Sequence, residues 1–200
     1  MHHQRRFFCR FRKTKPLFNK QLKVLLVTNS MILVAIAMLG PIYALFVGKI
    51  GGDLLDASLT SAMLAFAAGV TSLATGVFSD KVKENELIVV AGYIIVGIGF
   101  LLYTICDSIW FLLLIQVIIG LGEAIYNPAF DAVYSKHCTD DHVGKQWGAW
   151  ESINSFSIAG GAVIGGLIAT SLGFNALFIT MALLCFSSAI YIYQLPRKLL

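Results

Sequence analysis

Residues 110–133 read "WFLLLIQVIIGLGEAIYNPAFDAV". This run of 24 residues contains no Lys or Arg. It is long enough to cross a bilayer, which takes about 20 apolar residues. One carboxylate, Glu123, stands near its middle, and Asp131 stands near its end. A carboxylate at mid-membrane costs about 2.5–3.5 kcal/mol by insertion scales, so it belongs on a bundle interior or a watery cavity. The stretch therefore names lipid as the solvent and marks one helix face as a candidate site.

The rest of the chain agrees. Of 200 residues, 58% are hydrophobic and only 13% are charged, and the mean hydropathy is +0.79. A water-soluble domain of this length has too little interior to hide so much apolar surface. Six apolar segments are spaced along it, over 24–48, 58–78, 87–106, 110–133, 147–170 and 175–195, each near the length of a membrane span. Short polar breaks such as "KIGGDLLDA" (49–57), "SDKVKENE" (79–86) and "YSKHCTDDHVGKQ" (134–146) separate them. The reading is an all-α polytopic membrane protein: a basic N-terminal arm over 1–23, then a six-helix domain over 24–200.

The net charge of +4 is unevenly placed. The arm holds Arg5, Arg6, Arg10, Arg12, Lys13, Lys15, Lys20 and Lys23 with no acidic residue, while the remainder is net acidic. Such an arm beside a membrane helix faces anionic lipid. Because it leads straight into an apolar segment, lipid is favoured over nucleic acid as its partner. With the N-terminus cytoplasmic, fourteen of the fifteen Lys and Arg fall on the inside and only Lys49 on the outside. The positive-inside rule then places both termini in the cytoplasm, with the chain in the plasma (inner) membrane.

Glu123 lies 13 residues into its segment, about 20 Å along a helix axis and so near the midplane. At about 100° per residue, Gln116 and Asn127 fall within about 40° of it, and Tyr126 within about 60°. Pro128 also leaves the carbonyl of Ala124 without its helical donor. The fifth segment carries Glu151 about one turn in, followed by Asn154 and Ser155 at i+3 and i+4. No Lys or Arg lies within these spans. An unpaired carboxylate taken out of water favours its protonated form. Two functional readings of Glu123 follow: a proton-coupling site, or a counter-charge for a cationic substrate. A purely structural, protonated Glu is the third. Asp131, close to the cytoplasmic end, reads as solvated.

Segments two and five carry small residues four apart: Ala65/Gly69, Ser72/Gly76, Gly161/Gly165 and Ala162/Gly166. This spacing allows close helix approach in lipid. Segments three and six carry no interior charge and read as support helices. Enzyme readings find little. The GxG in "GLGEA" follows no strand, so it marks no dinucleotide site. His137, Cys138, Asp140, Asp141 and His142 match no metal-site spacing. The four cysteines are scattered, and no nucleophile–base arrangement stands out. No catalytic residue, metal or cofactor is expected.

Three stretches carry a family resemblance. "GVFSDKVKENE" from Gly76 resembles the 2–3 loop of the major facilitator superfamily, with its G-x-x-x-D core as Gly76 and Asp80. "QVIIGLGEAIYNPAF" resembles that family's fourth helix. "GKQWGAWESINSFSIAGGAVIGG" resembles its 4–5 loop and fifth helix. There are departures. Asp80 is followed by Glu84 and Glu86 as well as by Lys81 and Lys83, Gln116 stands where an Arg is frequent, and Glu123 replaces a small residue. Gly161-Ala162 stands where drug antiporters carry Gly-Pro.

The resemblance implies one six-helix half, itself two inverted three-helix repeats, from a fold built of two parallel halves. It implies a secondary active transporter of a small molecule that works by alternating access. Helices one, two, four and five would line its cavity, with Gly76 and Asp80 at a cytoplasmic gate. Two N-in, C-in copies reproduce both halves without inversion, so a homodimer is the expected assembly. The alternatives are a non-transporting subunit that pairs with another half, and a fragment of a longer transporter.

Overall fold

A computed structural model describes residues 18–79, 85–139 and 141–194, with residues 76–79 as backbone only. Seven α-helices and two short 3-10 turns make up the described chain. They are α1 (Lys20–Leu39), a 3-10 turn (Gly40–Ile42), α2 (Tyr43–Lys49), α3 (Leu54–Ser79), α4 (Asn85–Leu102), a second 3-10 turn (Tyr103–Ile105), α5 (Ile109–His137), α6 (Val143–Leu172) and α7 (Phe174–Gln194). Among the described residues there is no strand. Six spans are long and apolar enough to cross a membrane, the first formed by α1 and α2 together.

Local chemistry sets the helix ends. The Asn19 side chain caps α1 by accepting from the Leu22 N–H at 2.8 Å, and Ser108 caps α5 through the Phe111 N–H. Asp53 and Asp56 cap each other's N–H groups at the start of α3, as a capping box does. Only Gly173 separates α6 from α7, at φ +86°. Glycine adopts that left-handed backbone without steric cost.

Two prolines give opposite results. Gly40-Pro41 breaks the first span into α1 and α2, although the apolar run 24–48 suggests one continuous helix. Proline lacks the N–H that a helix interior needs. Pro128, by contrast, sits inside an unbroken α5. The carbonyl it orphans, that of Ala124, accepts from the Thr75 hydroxyl of α3 at 2.8 Å. A neighbouring hydroxyl is one of the ways membrane helices tolerate proline. Similarly, the Ser188 hydroxyl of α7 reaches the Thr28 carbonyl of α1 at 2.9 Å.

Glycines set the closest helix contacts. A Cβ at Gly165 would lie 2.0 Å from the Met38 carbonyl oxygen, and one at Gly161 would lie 2.7 Å from that of Val34. So α6 lies directly on the α1 backbone. Two other pairs behave differently: Gly69 and Gly166 have nothing within 4 Å of such a Cβ.

Burial is uneven in an informative way. The apolar windows of α4 and α7 are 50% and 44% buried, whereas those of α3 and α6 are 11% and 17% buried. The two helices without interior charge therefore form the back of the bundle, and α3 and α6 keep open faces. Large apolar side chains stand on those faces, including Phe66 and Leu73 on α3 and Phe156 and Val163 on α6.

Candidate functional site

The candidate site grows from one face of α5. Gln116, Ile119 and Glu123 share that face and line a cavity of about 220 Å³. The break in the first span adds Leu39, Gly40 and Tyr43 to the lining. Ser61 and Leu64 of α3 close one side, and Phe100 and Tyr103 close the other. No Lys or Arg is part of the lining. A carboxylate, a carboxamide, three hydroxyls and aromatic rings therefore meet in an otherwise apolar chamber.

Its polar groups are ordered by a hydrogen-bond chain. Gln116 Nε2 donates to the Tyr43 hydroxyl and, at 3.1 Å, to the Tyr103 hydroxyl. The Tyr43 hydroxyl donates onward to Thr60 Oγ1 at 2.6 Å. Thr60 closes the chain by donating to the Asp56 carbonyl one turn back in α3, at 2.7 Å. Gln116 and Thr60 are both buried. Two spans and the end of a third are thus tied to α5 around one amide. The Gln116 Oε1 finds no protein partner among the described residues.

The expected residues part company here. Glu123 and Gln116 come together at the cavity. Tyr126 does not join them: it is buried against α4, its ring edge-on to Tyr93 at 5.0 Å. The hollow that admits it is Gly92, where an added Cβ would strike the Tyr126 Cβ at 2.6 Å. Asn127 is exposed one turn beyond Glu123 and lines no part of the cavity. Glu151 is exposed on α6, and Asn154 is half-buried with its Oδ1 unpartnered among the described residues. Neither lines this cavity. Gly76 lies in the last turn of α3, and Asp80 lies outside the described residues. Asp131 is exposed.

Tyr43, Thr60 and Tyr103 were not expected at the site. Each is one of several hydroxyls in its apolar segment, and only tertiary packing converges these three. One usable signal was Gly40-Pro41, which marks irregular backbone at membrane depth; such backbone is tolerated where it is buried in protein or lines a cavity.

The six apolar spans fit a known family. The chain belongs to the major facilitator superfamily, whose profile matches residues 25–199. It is an integral membrane protein of a transporter family, not an enzyme. Among curated proteins it is similar to the multidrug resistance protein MdtG of Salmonella typhimurium, at 26% identity over 179 residues, covering 87% of this chain and 44% of that protein. It is also similar to MdtG of Serratia proteamaculans, at 24% identity over 196 residues, covering 96% of this chain and 46% of that one. The chain thus spans less than half the length of these relatives.

Proposed function

We propose that this chain is one half of a secondary active transporter, that two copies assemble side by side, and that alternating access moves a small molecule past Glu123. The supporting observation is the cavity itself: Glu123 and Gln116 face it together, and no cation lines it. A carboxylate so placed serves protons and a cationic substrate in turn, each displacing the other. The relatives' name, multidrug resistance protein, supports a drug-like substrate. The open faces of α3 and α6 are the surfaces on which a second half would seat. There Glu151 and Asn154 would join the translocation path, with Asp80 at its cytoplasmic gate. Both termini would lie in the cytoplasm, with the basic arm on the anionic leaflet of the inner membrane.

The test is transport in proteoliposomes holding only this chain. An imposed proton gradient should drive ethidium across the bilayer, and Glu123→Gln should abolish that movement while leaving the protein folded. Equal transport by parent and variant would remove Glu123 from the coupling role. A second reading, a subunit that completes a different half, rests on the same open faces. It expects no transport from this chain alone, and recovery when the other half is supplied.

A further inference from the structure

The orientation of the Gln116 amide carries information about the ligand. A threonine hydroxyl has a single proton. The 2.7 Å contact to the Asp56 carbonyl uses the one on Thr60. The short contact between Thr60 and Tyr43 must then use the tyrosine's proton. Tyr43, having spent its proton, meets Gln116 as an acceptor, so the Gln116 atom facing it is the donor, Nε2. The second Nε2 proton goes to Tyr103. Both amide protons are committed, and Oε1 remains as an acceptor without a protein partner among the described residues, on a side chain only 2% exposed. A buried acceptor left unmatched is destabilising. The group that meets it is a donor.

We infer that Gln116 is a specificity-determining residue of the cavity, selecting ligands that carry an N–H donor over those that carry positive charge alone. This rests on the reading of the cavity as a binding site for cations. Glu123 supplies the charge complement and is indifferent to whether the cation bears hydrogen. Gln116 Oε1 is not: it is uncharged, directional and already buried, so it rewards an N–H and is left unpaired by a methylated nitrogen. Primary and secondary ammonium ions satisfy both groups, as do protonated tertiary amines. A quaternary ammonium satisfies only Glu123. Thr60, which touches no ligand in this scheme, acts as a positioning residue by fixing the direction of the chain.

The experiment compares two probes of like charge and the same phenylbutyl chain, 4-phenylbutylammonium and its N,N,N-trimethyl derivative. Binding to the full chain in nanodiscs is measured by calorimetry. The parent should bind the primary ammonium about tenfold more tightly, the worth of one buried hydrogen bond. Gln116→Leu should reduce the ratio to about one by removing the acceptor. Thr60→Val should do the same while Gln116 stays in place, because Tyr43 regains its proton and the amide turns over. A thermal melt of each variant confirms that it is folded, and the Thr60 variant decides the matter if the Gln116 variant is not. Equal binding of the two probes by the parent would overturn the inference and leave the cation site standing. If neither probe binds, both the cation site and the inference fall. A preference that survives in folded Thr60→Val would overturn the positioning argument on which the inference depends.

Discussion

Pro128 removes a donor from the middle of α5, and Thr75 replaces it from α3 through the bond to the Ala124 carbonyl at 2.8 Å. One residue's defect thus becomes a cross-helix contact at Ala124, the residue next to Glu123. Interhelical hydrogen bonds of this kind are worth about 0.6 kcal/mol on average and up to about 1.7. Thr75→Val should therefore lower stability by about 1 kcal/mol in a reversible unfolding titration. Made together with Pro128→Ala, the same change should cost much less, since the helix then supplies its own donor to that carbonyl. Additive losses would show that the hydroxyl acts elsewhere. The sequence alone exposed half of this pairing, the orphaned carbonyl. It could not say which neighbour answers, because Thr75 is one of several hydroxyls at suitable depth. Glu123 and Gln116 were legible for a firmer reason: two turns of helix return both to one face. Tyr126, within about 60° of Glu123, lies at the edge of that face. There the neighbour decides, and the gap at Gly92 draws the ring into the α4 interface.

Among the elements, α6 makes the sharpest case. Its adjacent glycines, Gly165 and Gly166, look equivalent as sequence, each ending a small-residue pair. Packing separates them. A methyl at Gly165 meets the Met38 carbonyl at 2.0 Å, whereas one at Gly166 meets nothing within 4 Å. Gly165→Ala should therefore force α1 and α6 apart at a cost of about 1–3 kcal/mol or more. Gly166→Ala should be neutral or stabilising by about 0.5–1 kcal/mol, as alanine is in a helix interior. Thermal melts of the two variants in detergent check this, and matching Tm values would contradict the assigned face. The six spans were readable from hydropathy, because a bilayer demands long apolar runs. The break at Gly40-Pro41 was not read as such, because hydropathy ignores the missing N–H of proline. Nor was the hydrogen-bond chain through Tyr43, Thr60 and Tyr103, whose members come from three separate segments.

At the scale of the whole molecule, the bundle is lopsided. Its back, α4 and α7, is the better covered, while α3 and α6 present apolar faces that no described residue covers. Ser61 and Leu64 of α3 line the cavity, and Glu123 stands on its wall. Two copies seated face to face by α3 and α6 would bring two Glu123 carboxyls to one central site, related by a two-fold axis. Like charges close together resist ionising together, which suits a site that takes up and releases a proton. In such an assembly one transporter would need both copies. Mixing parent and Glu123→Gln chains in proteoliposomes at fixed total protein, and following proton-driven transport against composition, tests it most directly. With both Glu123 residues required in one unit, activity should fall as the square of the parent fraction, to about a quarter in an equal mixture. A linear decline, to about a half in that mixture, would mean each chain works alone and would contradict the account.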